Sequence, residues 1–251
     1  MGTLDGKFAL ITGGSRGIGR AAAARLADAG AAVAFTWLSN RAGADETEAL
    51  LRDKTANVLS IRANVGNEEH LDKVFAEVRE AFGALDIFVS NAASGIMKPA
   101  VELTEKDWAR SMDVNALALL RGAQRAVPLM RGRDARILAI SSSGAMRVIR
   151  DYAAVGASKA ALEALVRYLA AELAPQGIVV NAVSAGVTDT NSLRFLTGWE
   201  DLLHDTATRT PAGRPGTPAD IADIIYLLSL PEARWIVGQT IIADGGHSLL
   251  A

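Results

Sequence analysis

The chain has 251 residues, half of them hydrophobic, and a formal net charge of −2; that size suits one large α/β domain or two small ones, and the charge supplies no basic field for holding a nucleic-acid backbone. It has no cysteine, and His70, His204 and His247 lie far apart, which excludes disulfides and thiolate nucleophiles and leaves no metal-ligand motif. No stretch is long and apolar enough to cross a bilayer, and Met1 to Lys7 lacks the apolar core of a secretion signal, so a soluble, cytoplasmic chain without a membrane partner is expected.

Short β-branched or apolar runs alternate with longer segments rich in Ala, Leu, Glu and Arg. The runs Phe8 to Thr12, Ala32 to Thr36, Val58 to Ile61, Ile87 to Ser90, Ile137 to Ser141, Ile178 to Val183 and Thr240 to Ala243 read as strands buried on both faces. Between them, Arg20 to Ala29, Glu68 to Phe82, Glu105 to Met130 and Tyr152 to Ala174 are long enough for helices, with Gly30 and Gly177 placed as stops. Such alternation predicts right-handed βαβ crossovers. The expected fold class is therefore α/β, one doubly wound domain over 1–251, with a parallel sheet of about seven strands and helices on both faces. Only Asn191 to Pro218 departs from the pattern; with Gly198, Pro211, Gly213, Pro215 and Gly216 it is expected to form a lid over a substrate.

Directly after the first strand comes Thr12-Gly13-Gly14-Ser15-Arg16-Gly17-Ile18-Gly19, running into an Ala-rich helix. Small residues at Gly13, Ser15, Gly17 and Gly19 let the backbone approach a pyrophosphate, and the helix start at Ile18 offers free N–H groups to it. The plainer alternative is an ordinary Gly-rich turn, but the position in the first βα unit is where a Rossmann sheet binds dinucleotides. An NAD enzyme usually carries an acid at the end of the second strand, and here that strand ends Phe35-Thr36-Trp37. Arg16 and Arg41 can give charge-assisted bonds to a 2′-phosphate, so NADPH is the expected cofactor. Arg41 reads equally well as a solvated helix-start arginine.

With this loop in place the chain resembles the short-chain dehydrogenase/reductase family over essentially its whole length. Ala63-Asn64-Val65 resembles the adenine-contacting turn, with Asn where most members have Asp. Asn91-Ala92-Ala93-Ser94-Gly95 resembles the motif after the fourth strand, and Asn115 matches a helix Asn that supports a water relay in many members. Ser141-Ser142-Ser143 closes the fifth strand and Lys159 follows in the next helix. Asn181 to Gly186 resembles the segment flanking the nicotinamide, with Ala185 for the usual Pro, and Asp244-Gly245-Gly246 is family-like. The resemblance implies cofactor contacts from Asn64, Val65, Asn91, Ala92, Ala93, Lys159, Gly186, Thr188 and Thr190, and a homotetramer with Glu105 to Met130 and Tyr152 to Ala174 as interface helices.

The departure lies at the catalytic tyrosine. Most members place Tyr four residues before the Lys, where this chain has Val155; Tyr152 lies seven before Lys159, the spacing of the enoyl-acyl-carrier-protein reductase branch. Asn91 to Gly95 and Tyr152 to Asn181 look closest to its type III enzymes. Positions four and seven before Lys159 fall near one helix face, about 4.5 Å apart along the axis. In an enoyl thioester hydride goes to the β carbon while charge collects on the distant thioester oxygen, so a displaced hydroxyl suits that reaction. Tyr152 is the expected donor to that oxygen, and Lys159, as an ammonium, is expected to bind the nicotinamide ribose and favour a phenolate nearby. Ser142 either bonds the substrate oxygen or ties off the strand, Asn115 either relays protons or holds structure, and Tyr168 and Tyr226 are expected to pack.

The expected function is NADPH-dependent reduction of the carbon–carbon double bond of an acyl thioester on a carrier protein or coenzyme A, as in fatty acid biosynthesis. The alternatives are a carbonyl reductase of the same family and a non-catalytic dinucleotide-binding sensor. Arg147, Arg150, Arg194 and Arg209 are candidates for steering an acidic carrier protein, or are scattered solvated charges.

Overall fold

In a computed structural model, which describes residues 2–190, 193–195 and 198–250, the strands are β1 (Phe8–Ile11), β2 (Ala32–Trp37), β3 (Val58–Arg62), β4 (Ile87–Ser90), β5 (Ala135–Ser142), β6 (Ile178–Ala185) and β7 (Thr240–Ala243). They form one sheet in the order β3-β2-β1-β4-β5-β6-β7, and every pairing is parallel. The helices are α1 (Gly17–Asp28), α2 (Arg41–Arg52), α3 (Glu68–Phe82), α4 (Glu105–Met112), α5 (Ala118–Met130), α6 (Ala153–Leu173), α7 (Trp199–Arg209) and α8 (Pro218–Ser229).

The seven expected strands are present within a residue or two. Their apolar runs fill two cores: one face of the sheet packs on α3, α5 and α6, the other on α1, α2 and α8. Sheets buried on both faces need strands without alternation, which is what β4 and β5 supply. The chain builds outward through β2 and β3, then returns to β4 beside β1. That reversal leaves a crevice beyond the C-terminal ends of β1 and β4, where ligands bind in open α/β sheets.

Three local expectations need correction. The span Glu105 to Met130 is not one helix: α4 and α5 are separated by a π turn at Asp113–Leu117, which holds Asn115. Tyr152 caps α6 instead of belonging to it, so a helical rise does not position it. Tyr168 does not pack; it is 70% exposed, beside an open apolar groove lined by Met112, Ala116, Leu117, Ala161, Ala164 and Leu165 on the expected interface helices. Tyr226 does pack, with the Arg25 guanidinium 3.6 Å from its ring centroid. The span expected as a lid contains a 3₁₀ turn at Leu193–Phe195, α7 and the start of α8; residues 191, 192, 196 and 197 of it lie outside the described residues. Among the described residues no helix is long and apolar enough to cross a membrane.

Candidate active site

The loop between β1 and α1 is shaped by glycines. Gly13 (φ 72°) and Gly17 (φ 56°) adopt left-handed backbone that disfavours other residues. A Cβ on Gly19 would collide with the Gly13 carbonyl oxygen and lie 2.5 Å from Asn91 Nδ2. Asn91 braces this approach: its Nδ2 donates to the carbonyls of Thr12 (2.8 Å) and Gly13 (3.1 Å). In return Thr12 Oγ accepts the backbone N–H of Asn91 and of Ala92, so Asn91 to Ala93 are tied to the loop across the crevice. Asn91 shapes the cradle, since both of its amide hydrogens are spent within the protein.

Helix α1 opens with Arg16 in extended backbone at its cap, without a side-chain cap or an acid in the first turn. Its first N–H groups and positive dipole end therefore face the loop mouth, ready for an anion. Between the starts of α1 and α2 lies a pocket of about 360 Å³ whose walls include Arg16, Gly17, Arg20, Asn40, Glu46 and Thr190. Arg20 Nη2 donates to the Ser15 carbonyl (2.8 Å), the Gly43 carbonyl (3.0 Å) and Glu46 (2.9 Å). It thereby staples the loop to α2 and engages Glu46, one of two carboxylates in the pocket wall with Asp189. The sequence expectation omits Arg20; its signal was the four-residue spacing from Arg16, which puts both on one face at a helix start. Arg41 is less well placed: its side chain is 78% exposed and pairs with Asp45 at 3.6 Å, while its neighbours Asn40 and Ala42 line the pocket.

Other expected contacts fall around the same crevice. Asn64 Oδ1 accepts the Gly66 N–H at 3.1 Å and its own N–H donates to His70 Nδ1, fixing the turn after β3, with Val65 buried. A Cβ on Gly186 would lie 2.7 Å from Asp244 Cβ, so the end of β6 closes against the Asp244 to Gly246 turn. Thr188 is buried and donates to the Gly186 carbonyl, and Thr190 faces Gly17 across the pocket. Bare helix N–H groups, glycines that admit a close backbone approach, and a pocket holding Arg16 and Arg20 fit a nicotinamide dinucleotide.

The second half of the site is built where β5 meets α6. Tyr152 is largely buried, its ring lying where a Cβ on Gly144 would be 2.6 Å away, and its hydroxyl donates to Ser142 Oγ at 3.5 Å, the outer limit of a hydrogen bond. Burial pushes the Tyr152 phenol up, outweighing the opposing Ser142 bond. That direction leads away from a phenolate, so Tyr152 is held as a neutral O–H donor. Before it, Asp151 (φ 60°) is the one non-glycine with positive φ among the described residues; its carbonyl accepts the Lys98 N–H at 2.9 Å, anchoring the strained approach to Tyr152.

Val155, at the commoner tyrosine position, is buried and packs on Gly95, where a Cβ would collide with its Cγ2. Lys159 is also buried; its Nζ donates to the Ile140 carbonyl at 2.6 Å. Burial lowers the Lys159 ammonium to about 8, against an upward pull from Glu163. Asn115 Oδ1 accepts the Ser94 N–H (2.9 Å), and its Nδ2 donates to the Ser94 carbonyl (2.9 Å) and Ser158 Oγ (2.8 Å). Both of its donors and one lone pair of its acceptor are engaged, so the side chain holds the loop after β4 onto α6. Ser142 does more than end a strand, since it accepts from both Gly144 N–H and Tyr152. The four arginines considered for docking are all engaged within the chain, Arg147 with the Ser248 carbonyl and Arg150, Arg194 and Arg209 with Asp151, Asp189 and Asp205.

Comparison with known proteins agrees with this geometry. The profile of the family described as Enoyl-(Acyl carrier protein) reductase matches residues 13–248. A 1-cyclohexenylcarbonyl-CoA reductase from Streptomyces collinus is 41% identical over 247 residues, covering 98% of this chain and 88% of that protein. Among solved structures, a short chain dehydrogenase from Burkholderia cenocepacia in complex with NADP superposes with a TM-score of 0.90 at 33% identity, covering 98% of this chain and 99% of the other. The reductase LugOII, described as promiscuous and as catalysing a keto-reduction in lugdunomycin biosynthesis, superposes with a TM-score of 0.90 at 37% identity, covering 99% and 100%. The phosphate cradle, the Ser142, Tyr152 and Lys159 cluster and these similarities together make the chain a member of the short-chain dehydrogenase/reductase family, an oxidoreductase that works with a nicotinamide dinucleotide.

Proposed function

We propose that this protein reduces the carbon–carbon double bond of an α,β-unsaturated acyl thioester, carried on coenzyme A or an acyl carrier protein, with NADPH as reductant. The observation that carries this reading is the displaced phenol: Tyr152 meets Ser142 while Val155, which has no proton to give, fills the commoner position against Gly95. The family profile and the Streptomyces reductase support a conjugated thioester substrate.

When bound, NADPH supplies a hydride for the β carbon of the substrate. Tyr152, kept as a neutral phenol by burial, donates a hydrogen bond to the thioester oxygen where negative charge collects, and Ser142 orients that hydroxyl. Lys159, still predominantly an ammonium at neutral pH with a pKa of about 8, binds the nicotinamide ribose from the end of β5. Arg16 and Arg20 give the adenosine end positive charge suited to a 2′-phosphate. A proton from solvent completes the α carbon.

A carbonyl reductase is the second reading, favoured by the 37% identity to the keto-reducing LugOII. Purified protein assayed with crotonyl-CoA, cyclohex-1-enecarbonyl-CoA and acetoacetyl-CoA, each with NADPH and with NADH, separates the two. The expected result is faster oxidation of NADPH than of NADH, on the enoyl thioesters. Turnover of acetoacetyl-CoA alone would replace this reading with the carbonyl one, and a preference for NADH would remove the 2′-phosphate assignment.

A further inference from the structure

The last three residues of β5 each engage a different group of α6 and its cap: the Ile140 carbonyl accepts from Lys159 Nζ, Ser141 Oγ donates to Glu163 Oε1 at 2.5 Å, and Ser142 Oγ accepts from Tyr152. Glu163 stands out in this row. It is 5% exposed on a helix face that, Lys159 apart, buries Leu162, Val166 and Leu169, and Ser141 is its carboxylate's sole hydrogen-bond partner among the described residues. A carboxylate in such surroundings is costly without a cation, and an apolar side chain would suit the packing better. Lys159 lies one turn earlier on the same helix face and is equally buried.

We propose that Glu163 is a positioning residue for Lys159: its carboxylate, oriented by the Ser141 hydroxyl, is the buried counter-charge that keeps the lysine an ammonium with Nζ at the end of β5. No contact ion pair joins the two among the described residues: Nζ donates to the Ile140 carbonyl and the carboxylate accepts from the Ser141 hydroxyl; the carboxylate acts through space in a poorly screened interior, where charges on neighbouring helical turns still interact. Burial lowers the Lys159 ammonium and the Glu163 charge, one helical turn away on the same face, opposes that fall. The other groups around the lysine are neutral: the Tyr152 phenol at the cap of α6, the β5 hydroxyls, and the Asn115 amide with Ser158. Asp113 of the π turn belongs to the groove lined by Ala161, Ala164 and Leu165, on another face of α6. The geometry thus makes β5 a template with three consecutive stations: Ile140 holds the ammonium, Ser141 holds its counter-charge, and Ser142 holds the phenol.

This inference rests on the role given above to Lys159, and the test separates the two. In the protein without cofactor, NMR of ¹³C-labelled lysine, with the Lys159 signal identified by its loss in Lys159→Met, is expected to titrate near pH 8 in the wild type and at clearly lower pH in Glu163→Gln and Glu163→Leu. The leucine variant suits the apolar surroundings and keeps the test open if the amide variant does not fold. NADPH affinity and kcat/KM for crotonyl-CoA are expected to fall about fivefold at pH 8 for a drop of about one pKa unit, and to recover toward wild type near pH 6. In the Lys159→Met background, Glu163→Gln is expected to add no further loss. An unshifted Lys159 titration, or a deficit in Glu163→Gln that is the same at every pH, would overturn the proposal and leave Glu163 a packing residue. If Lys159→Met binds NADPH and turns over like wild type, the role of Lys159 itself fails, while the NMR titration still decides for or against Glu163.

Discussion

Tyr152 and Val155 show how one side chain's placement bears on chemistry. Val155 seals the inner wall against Gly95, and Tyr152 projects from the cap of α6 with Ser142 as its hydroxyl's sole hydrogen-bond partner among the described residues. Because burial holds the phenol neutral, its contribution is a directed hydrogen bond. Tyr152→Phe keeps the ring against Gly144 and deletes only that bond. Turnover of an enoyl thioester is expected to fall by about 10²–10⁴, the range for general-acid and oxyanion groups, with NADPH affinity near wild type. Steady-state kinetics beside a fluorescence titration of NADPH reads both, and an equal loss of affinity and turnover would mean that the hydroxyl serves cofactor binding and not the reacting oxygen. Asn115 was legible only as a choice between relay and structure, because sequence does not show which polar groups a buried amide meets; here it meets the Ser94 backbone and Ser158.

At the scale of elements, helix starts carry much of the local specification. Thr104 and Asp107 form a reciprocal box at α4, and Thr217 and Asp220 form another at α8, each side chain bonding the other's backbone N–H. The α8 box is further tied by Arg214, whose guanidinium holds the Asp220 carboxyl well below the usual range. Helix α8 packs its buried Ile221, Ala222 and Ile225 against the α1 side of the sheet, so fraying there reaches the phosphate loop's support. Thr217→Ala is expected to destabilise the protein by about 1 kcal/mol, seen as a lower midpoint in urea denaturation monitored by circular dichroism. Thr217→Ser should restore it; no difference between Ala and Ser would mean that the box contributes nothing. The π turn between α4 and α5 was not legible in sequence, because Asp113 to Leu117 has ordinary helical composition and only the Asn115 contacts mark the turn.

Across the whole molecule, the two ends of the sheet do different work. Beyond the C-terminal ends of β1 and β4 lies the cradle; at the opposite end, Asp86 just before β4 binds Lys7 (3.2 Å), the Phe8 N–H (2.9 Å) and Arg133 Nε and Nη2 (2.8 and 2.9 Å). Its side chain is 1% exposed, and its donors come from the entries to β1 and β5, so it pins three neighbouring chain segments. Asp86→Ala is expected to cost about 1–3 kcal/mol by stranding those donors, while the folded fraction keeps its NADPH affinity, because the site lies at the far end. Chemical denaturation with a parallel binding titration checks this; a selective loss of NADPH binding at full stability would contradict that division. By itself the sequence determined the seven apolar runs, the glycine loop after the first, and the spacing of Tyr152 from Lys159, because period, small residues and short-range separation are local properties of a chain. Tertiary structure alone decided that Arg41 stays out of the pocket beside the glycine loop, that Asn91 and Asn115 bond within the protein, and that Glu163 stands behind Lys159. Those outcomes depend on which segments the parallel sheet brings side by side, and hydrogen-bond partners from β1, β4, β5 and α6 are assembled only when residues tens of positions apart share one buried, weakly screened interior.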